Sequence, residues 1–383
     1  MADFKIKKTH TGFGCSTETS FEANGCDYLN EDLIKNLFGG ADAGEKITNC
    51  ELTLPVEIAQ PVVHNDGMKE ETVVIYDNFG IPSIMRKFSK VTNAELFGGS
   101  DKPHPAFVIG GEVYDEIYIS VYPNCEINGK PYSLPFQKPW ASITNDDAAK
   151  ACFAKGEGWH LMTAAEWGLI ANISLKNGTL PHGNTNYGKY HADESEKGIT
   201  YDGGNKTLTG SGPATWTHNH QTDGVHDLCG NVWEMVRGLR IKDGMLQAAK
   251  NNDAAMDIDL SEVSGDWLPI TDNEYNAIYA SVSDGDITLT TDEDISQDYD
   301  GSRWENVKTD MDCESEQLKA LAIYAGEPNA YLYIDSTDGE YFPFRGGDWS
   351  HGASAGVFYL ILSNARTDSS ADFGFRSAYY KKH

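Results

Sequence analysis

FRGGDWSHGASAGVFYLILSNARTDSSADFGFRSAYY, residues 344–380, mixes two populations of side chain. One reads as a rigid frame: Arg345, Gly346, Gly347, Trp349, Gly352, Ala355, Gly356, Phe358, Leu360, Leu362, Arg366, Gly374, Phe375 and Arg376. The other changes chemistry from one position to the next: Asp348, Ser350, His351, Ser354, Tyr359, Ile361, Ser363, Thr367, Asp368, Ser370, Asp372 and Phe373. Phe358, Leu360 and Leu362 alternate with Tyr359, Ile361 and Ser363, so a strand is expected with one face buried and the other presented. On that reading Tyr359 and Ile361 sit in solvent beside Ser and Asp, a recognition surface. Tyr359, Ile361 and Phe373 are then expected to accept replacement by Ser with little loss of thermal stability.

Two further clusters combine Gly, Trp and a charged residue that needs a buried partner. They are WHLMTAAEWGLIA at 159–171 and DLCGNVWEMV at 227–236. Thr163 stands three residues before Glu166, the capping-box spacing, and predicts a helix over 163–172. NDDAAKACFAK at 145–155 predicts another, capped by Thr144 or Asn145. The stretch 177–222, rich in Gly, Asn, Thr and Tyr, reads as long loop held by aromatic and backbone contacts. Residues 112–121 (EVYDEIYISV) alternate as a strand, and 250–340 read as acidic and irregular.

In this order the three clusters resemble the formylglycine-generating, or sulfatase-modifying-factor, branch of the C-type lectin fold, over about residues 81–383. The resemblance implies a loop-rich α+β unit with a few helices and small antiparallel sheets. The related oxidases rely on a cysteine pair between RGGSW-like and GFR-like motifs to bind copper. No cysteine lies between RGGDW and GFR here, so there is no soft thiolate site and no enzyme activity is expected.

The scattered residues carry a closer resemblance, to the variable proteins of diversity-generating retroelements, which use the same fold. GDWSHGASAGVFYLILSNARTDSSADFGFR keeps Gly, Trp, Ala, Phe, Leu and Arg where those proteins keep them. It departs where their templates carry adenine-rich codons. An Asn codon randomised at its adenines never yields Lys, Glu, Gln, Met or Trp, and none of the twelve scattered positions carries one. The resemblance implies a ligand-binding protein with a hypervariable segment at about 345–376. It points to a phage tail recognising a bacterial surface protein or glycan, or to a bacterial surface display protein. A homo-oligomer is expected, since multivalency offsets weak single contacts. The alternatives are a formylglycine-generating-type oxidase and a calcium lectin of fixed specificity.

Composition narrows the partners. The chain of 383 residues carries 30 Lys plus Arg against 58 Asp plus Glu, a net charge of −28. Such a surface repels nucleic-acid phosphates and anionic membranes. The longest apolar run, Val357–Leu362, is far short of a membrane span. MADFKIKKTH has no apolar run after it, so no signal peptide is expected. Cysteines 15, 26, 50, 125, 152, 229 and 313 form no CxxC pair and read as reduced, mostly buried thiols; a bridge between Cys15 and Cys26 has no support in their spacing. Residues 1–80 read as a separate attachment or oligomerisation unit, with a helix at Asn30–Phe38 and strands at Cys50–Ile58 and Glu71–Tyr76.

Weaker signals concern metals. No cofactor is expected to be required. By the resemblance, a structural calcium would sit on Asp227 and the carbonyls of Leu228, Gly230 and Val232, hard oxygen donors. His218, His220 and His226 are close in sequence but lack a zinc-site spacing. Glu327-Pro328-Asn329 matches the calcium tripeptide of sugar-binding lectins and reads as a turn.

Overall fold

The computed structural model describes residues 69–310, 314–324 and 330–382, with the backbone of four earlier strands, Phe4–Gly12, Cys15–Ala23, Lys46–Thr53 and Val62–Val63. The expected helix at 30–38, the side chains of Cys15, Cys26, Cys50 and Cys313, and the tripeptide at 327–329 lie outside the described residues. Four helices are described: α1 (Asn93–Phe97), α2 (Asn145–Phe153), α3 (Ala164–Asn177) and α4 (Glu316–Ala320). Strands, loops and short 3-10 turns make up the remainder, an α+β arrangement dominated by sheet.

Thr163 starts α3 as its spacing predicts. Its Oγ1 accepts the Glu166 N–H at 3.2 Å, and Glu166 Oε2 accepts the Thr163 N–H at 2.9 Å. Thr144, not Asn145, caps α2. Gly168 lets α4 cross α3: a Cβ there would lie 2.0 Å from the Ala320 carbonyl oxygen.

A six-stranded antiparallel sheet runs in the order Trp159–Leu161, Ser377–Tyr379, Glu116–Ser120, Pro82–Ser89, Lys69–Tyr76, Val62–Val63. Residues 69–80, grouped by sequence with the N-terminal unit, form one arm and the turn of a hairpin in this sheet. Buried charge ties that arm to distant loops. Arg86 pairs with Glu70 at 2.9 Å and Asp223 at 2.8 Å, and His218 Nε2 meets Glu70 at 2.9 Å. The run 112–121 is not one strand: Glu112–Val113 pairs with Val108–Ile109, and only Glu116–Ser120 joins the sheet.

The second sheet has twelve strands and includes parallel pairs, unlike the small antiparallel sheets expected. Segment 250–340 supplies much of it. Its SDGD turn closes a hairpin between Tyr279–Ser283 and Asp286–Thr290, with Asp284 and Gly285 both at positive φ (51° and 86°). That is the two-residue turn which matches strand twist.

The main core lies between α3 and strand Gly356–Asn364. Trp167 and Trp304 are fully buried there. Their indole N–H groups donate to the carbonyls of Val357 at 2.7 Å and Phe358 at 2.9 Å, which pins the start of that strand.

Candidate functional site

Strand Gly356–Asn364 runs parallel to Tyr331–Asp335 on one side and antiparallel to Glu340–Gly346 on the other. Phe358, Leu360 and Leu362 face the main core and are buried, as their period-two spacing predicts. The opposite face holds Tyr359, Ile361 and Ser363. It is not uniformly open. Tyr359 is 5 % exposed, against the expectation that it sits in solvent.

The reason is a second apolar cluster, contributed by strand Trp233–Met235, Phe344, Phe375 and α2. Tyr359 packs with its ring centroid 4.6 Å from Trp233 and 5.6 Å from both Tyr331 and His351. Burial pushes its phenol above the ordinary range. Ile361 and Phe373 are half-buried against the same cluster, Phe373 at 4.3 Å from Phe344.

The frame residues fix the backbone around this face. Arg376 is fully buried and bonds both carboxylate oxygens of Glu234, with Nε to Oε2 at 2.6 Å. Its remaining donors reach the carbonyls of Ser120 at 3.1 Å and His226 at 2.9 Å. Arg345, also buried, donates to the carbonyls of Leu321 at 2.7 Å and Ala322 at 3.2 Å. Burial with no carboxylate beside it among the described residues pushes its guanidinium down to about 9. Arg366 holds the loop after the strand by Asp146 at 3.0 Å, Glu340 at 2.9 Å and the Leu260 carbonyl at 2.8 Å. Gly347 adopts φ +86°, and a Cβ there would come within 2.8 Å of the Ala355 Cβ.

The scattered positions divide into two groups. Three aspartates are engaged locally. Asp348 Oδ1 accepts from the Ser350 N–H and hydroxyl, each at 2.8 Å, and lies 2.7 Å from His351 Nδ1. Asp368 accepts the Ala365 N–H at 3.0 Å. Asp372 accepts the Trp349 indole N–H at 3.1 Å and pairs with Lys206 at 3.0 Å. The small hydroxyl residues are the more accessible ones: Ser350 and Thr367 are exposed, and Ser354, Ser363 and Ser370 partly so.

Burial alone would raise the Asp348 carboxyl, but the hydrogen bonds from His351 and Ser350 outweigh it and hold the group below its ordinary value. A depressed carboxyl contributes stability above its unfolded pKa, near ~4, and loses it as pH falls through the folded value. Asp348→Asn is therefore expected to flatten the acid limb of the stability profile below pH ~4. Urea midpoints measured across that range test this, and an unchanged limb would contradict it.

Three tyrosines extend the face beyond the segment singled out by sequence. Tyr333 stands opposite Ile361, and Tyr331 lies beside Tyr359. Strand Tyr299–Arg303 pairs with Tyr331–Asp335, placing Gly301 against Tyr333 and Arg303 against Tyr331. A Cβ on Gly301 would meet both the Tyr331 and Tyr333 rings, at 2.5 and 2.6 Å, so the rings lie across that glycine. Tyr299 is 59 % exposed at the edge. The alternation in YLYID at 331–335 is the sequence signal for Tyr331 and Tyr333, masked by the acidic residues around it.

The metal expectations fare differently. Asp227 is buried at φ +60°, its Oδ2 accepts the Gly210 N–H at 2.7 Å, and burial pushes its carboxyl up to about 6. A calcium at Asp227 would need its oxygen shell completed by carbonyls such as those of Leu228, Gly230 and Val232. His218, His220 and His226 do not converge. His218 joins Glu70, His226 stacks on Tyr122 at 5.2 Å, and His220 bonds the Leu180 carbonyl at 3.1 Å. Among the described residues no group of three or more His, Cys, Asp or Glu is placed to hold a metal. Cys125, Cys152 and Cys229 are buried free thiols, and burial pushes Cys152 and Cys229 up to about 12.

No family model and no curated protein matches the chain. Three solved structures are similar at low identity. PvdO from Pseudomonas aeruginosa is 14 % identical, covering 84 % of this chain and 98 % of its own, with a TM-score of 0.32. The Major Tropism Determinant U1 variant is 11 % identical over 94 % of this chain and 88 % of its own, with a TM-score of 0.29. Treponema denticola variable protein 1 is 13 % identical over 84 % and 98 %, with a TM-score of 0.22. Likeness this slight transfers neither fold nor function, and the site stands on its own geometry: an immobilised frame with a side-chain-diverse, tyrosine-flanked face.

Proposed function

We propose that the chain is a non-enzymatic ligand-binding protein of the retroelement-diversified kind, on a C-type lectin-like scaffold. Its recognition face combines the scattered residues of 348–373 with the tyrosines of the neighbouring strands. The ligand is a bacterial surface protein or glycan, and the setting is a phage tail. The observation that supports this best is the split along 345–376. Arg345, Phe358, Leu360, Leu362, Phe375 and Arg376 are buried, while Ser350, Ser354, Ser363, Thr367 and Ser370 reach the surface. Side chains such as Ser354, Ser363 and Thr367 can change without altering the buried contacts.

Tyr359 has a distinct part in this reading. A randomised position that is buried acts through its neighbours, here by setting how Trp233, Tyr331 and His351 present themselves. Tyr and Ser together are the economical composition of an adaptable binding face.

The decisive test is on DNA. The region beside the gene is expected to hold a near-copy of the segment encoding 345–376, differing only at its adenines. Absence of such a copy would leave a binder of fixed specificity as the better account. On the protein, Ser354→Lys with Thr367→Lys is expected to change adhesion to bacterial cells while moving stability by no more than ~0.5 kcal/mol per site. No helix among the described residues is long and apolar enough to cross a membrane, which is compatible with a virion setting.

A further inference from the structure

Strand Tyr299–Arg303 stands at one end of the twelve-stranded sheet, separated from the variable strand Gly356–Asn364 only by Tyr331–Asp335. Both outer strands lie outside 345–376. They are therefore the part of the recognition face that stays constant while the scattered residues change. A constant part can fix the class of ligand, leaving the changing part to choose among its members.

The constant part is a shelf of tyrosine rings. Gly301 stands opposite Tyr333, and Tyr333 opposite Ile361. A Cβ on Gly301 would lie 2.5 Å from Tyr331 Cε1, 2.6 Å from Tyr333 Cδ2 and 2.9 Å from the Tyr331 hydroxyl. The hydroxyl is the far end of its side chain. Its nearness to the edge strand means that the ring leans down over the sheet instead of standing away from it. Gly301 is what makes room for this. The two rings fill the notch above it, so they leave a level surface there and no slot for an inserted side chain. Tyr299, 59 % exposed, continues the shelf at its rim.

Two features set the shelf against a protein partner. Protein interfaces are anchored by side chains that fill pockets, and a levelled notch offers none. Nor does the edge invite an added strand. The Tyr299 N–H donates to Asp298 Oδ1 at 2.8 Å and the Gly301 N–H to Asp300 Oδ1 at 2.6 Å. These carboxylates sit on the edge backbone, where charge blunts pairing with another chain. Asp335, opposite Tyr299, accepts the Thr337 N–H at 3.0 Å and hydroxyl at 2.6 Å, both on Oδ1. Its second oxygen is an acceptor beside the rings. Carboxylates outnumber the one cation, Arg303, on a chain of net charge −28, which opposes acidic ligands.

We propose that this shelf is a fixed glycan subsite of the recognition face, taking a neutral pyranose ring flat on Tyr331 and Tyr333 with a hydroxyl donated to Asp335. The apolar C–H face of the sugar covers the rings, and its rim of hydroxyls meets the carboxylate and phenol oxygens. Gly301 is the positioning residue, since it acts only through the rings it lets down. The scattered residues of 348–373 then discriminate among the sugars that follow along the chain.

This inference rests on the recognition-face reading, and its test separates the two. The full chain is titrated onto an array of immobilised bacterial polysaccharides, neutral and acidic, with oligolysine as a cationic control. Binding to neutral polysaccharide is expected. Gly301→Ala displaces both rings without changing their chemistry and meets no left-handed backbone penalty. It is expected to weaken binding about tenfold, as is Tyr333→Ala. Melting curves check the fold, and Tyr299→Ala, at an exposed position, is a further variant should Gly301→Ala disturb it; a smaller loss of binding is expected there. No binding to any neutral polysaccharide at millimolar sugar, preference for acidic glycans or oligolysine, or equal binding by the variants and the parent would each overturn the subsite. In every such case the near-copy beside the gene and the effect of Ser354→Lys with Thr367→Lys on adhesion still decide the reading of the variable face.

Discussion

Replacing Arg376 by Ala is expected to cost about 3–5 kcal/mol, a large part of the roughly 5–15 kcal/mol that holds a domain folded. The side chain is fully buried and spends its donors on Glu234 and on carbonyls from Ser120 and His226. It joins the six-stranded sheet, the loop before the GNVWE turn and strand Trp233–Met235. Removing it leaves Glu234, 1 % exposed, as an uncompensated buried charge. Pairing Arg376→Met with Glu234→Leu removes both charges and is expected to recover much of the loss. Urea unfolding of the single and double variants measures this. A single-variant loss under about 1 kcal/mol would mean that the pair is solvated and the frame is not what holds the site.

Tyr359→Ala is expected to lose about 3 kcal/mol, while Tyr359→Phe stays within about 1 kcal/mol. The ring is enclosed by Trp233, Tyr331 and His351, and its truncation leaves a void that this aromatic cluster cannot close without moving. The comparison with Thr367→Ala, exposed and expected to change stability by no more than ~0.5 kcal/mol, separates positions that shape the face from positions that only occupy it. Chemical denaturation of the three variants decides the matter. If Tyr359→Ala matches Thr367→Ala, the tyrosine is not packed and the face is open along its whole length.

Local patterns were legible wherever the physics is local. The capping box at Thr163 and Glu166 needs only a spacing of three, and it formed. The alternation Phe358, Leu360, Leu362 needs only a strand beside a core, and those residues are buried. The SDGD turn at 283–286 was equally readable, but the acidic residues around it point to irregular loop, and the hairpin it closes is set by the strands that flank it. YLYID was hidden in the same way: its tyrosines belong to a presented face, where hydrophobic contrast with the neighbours is weak.

What the sequence determined by itself was the frame: which residues of 345–376 are apolar or charged anchors, and that a strand with two unlike faces lies among them. The tertiary structure decided which of the scattered residues meet solvent. Exposure of one strand face depends on what crosses it, and the covering groups come from Trp233, α2 and Tyr331, far away along the chain. Period-two spacing sorts side chains onto faces, but only long-range packing buries Tyr359 and leaves Ser363 partly open.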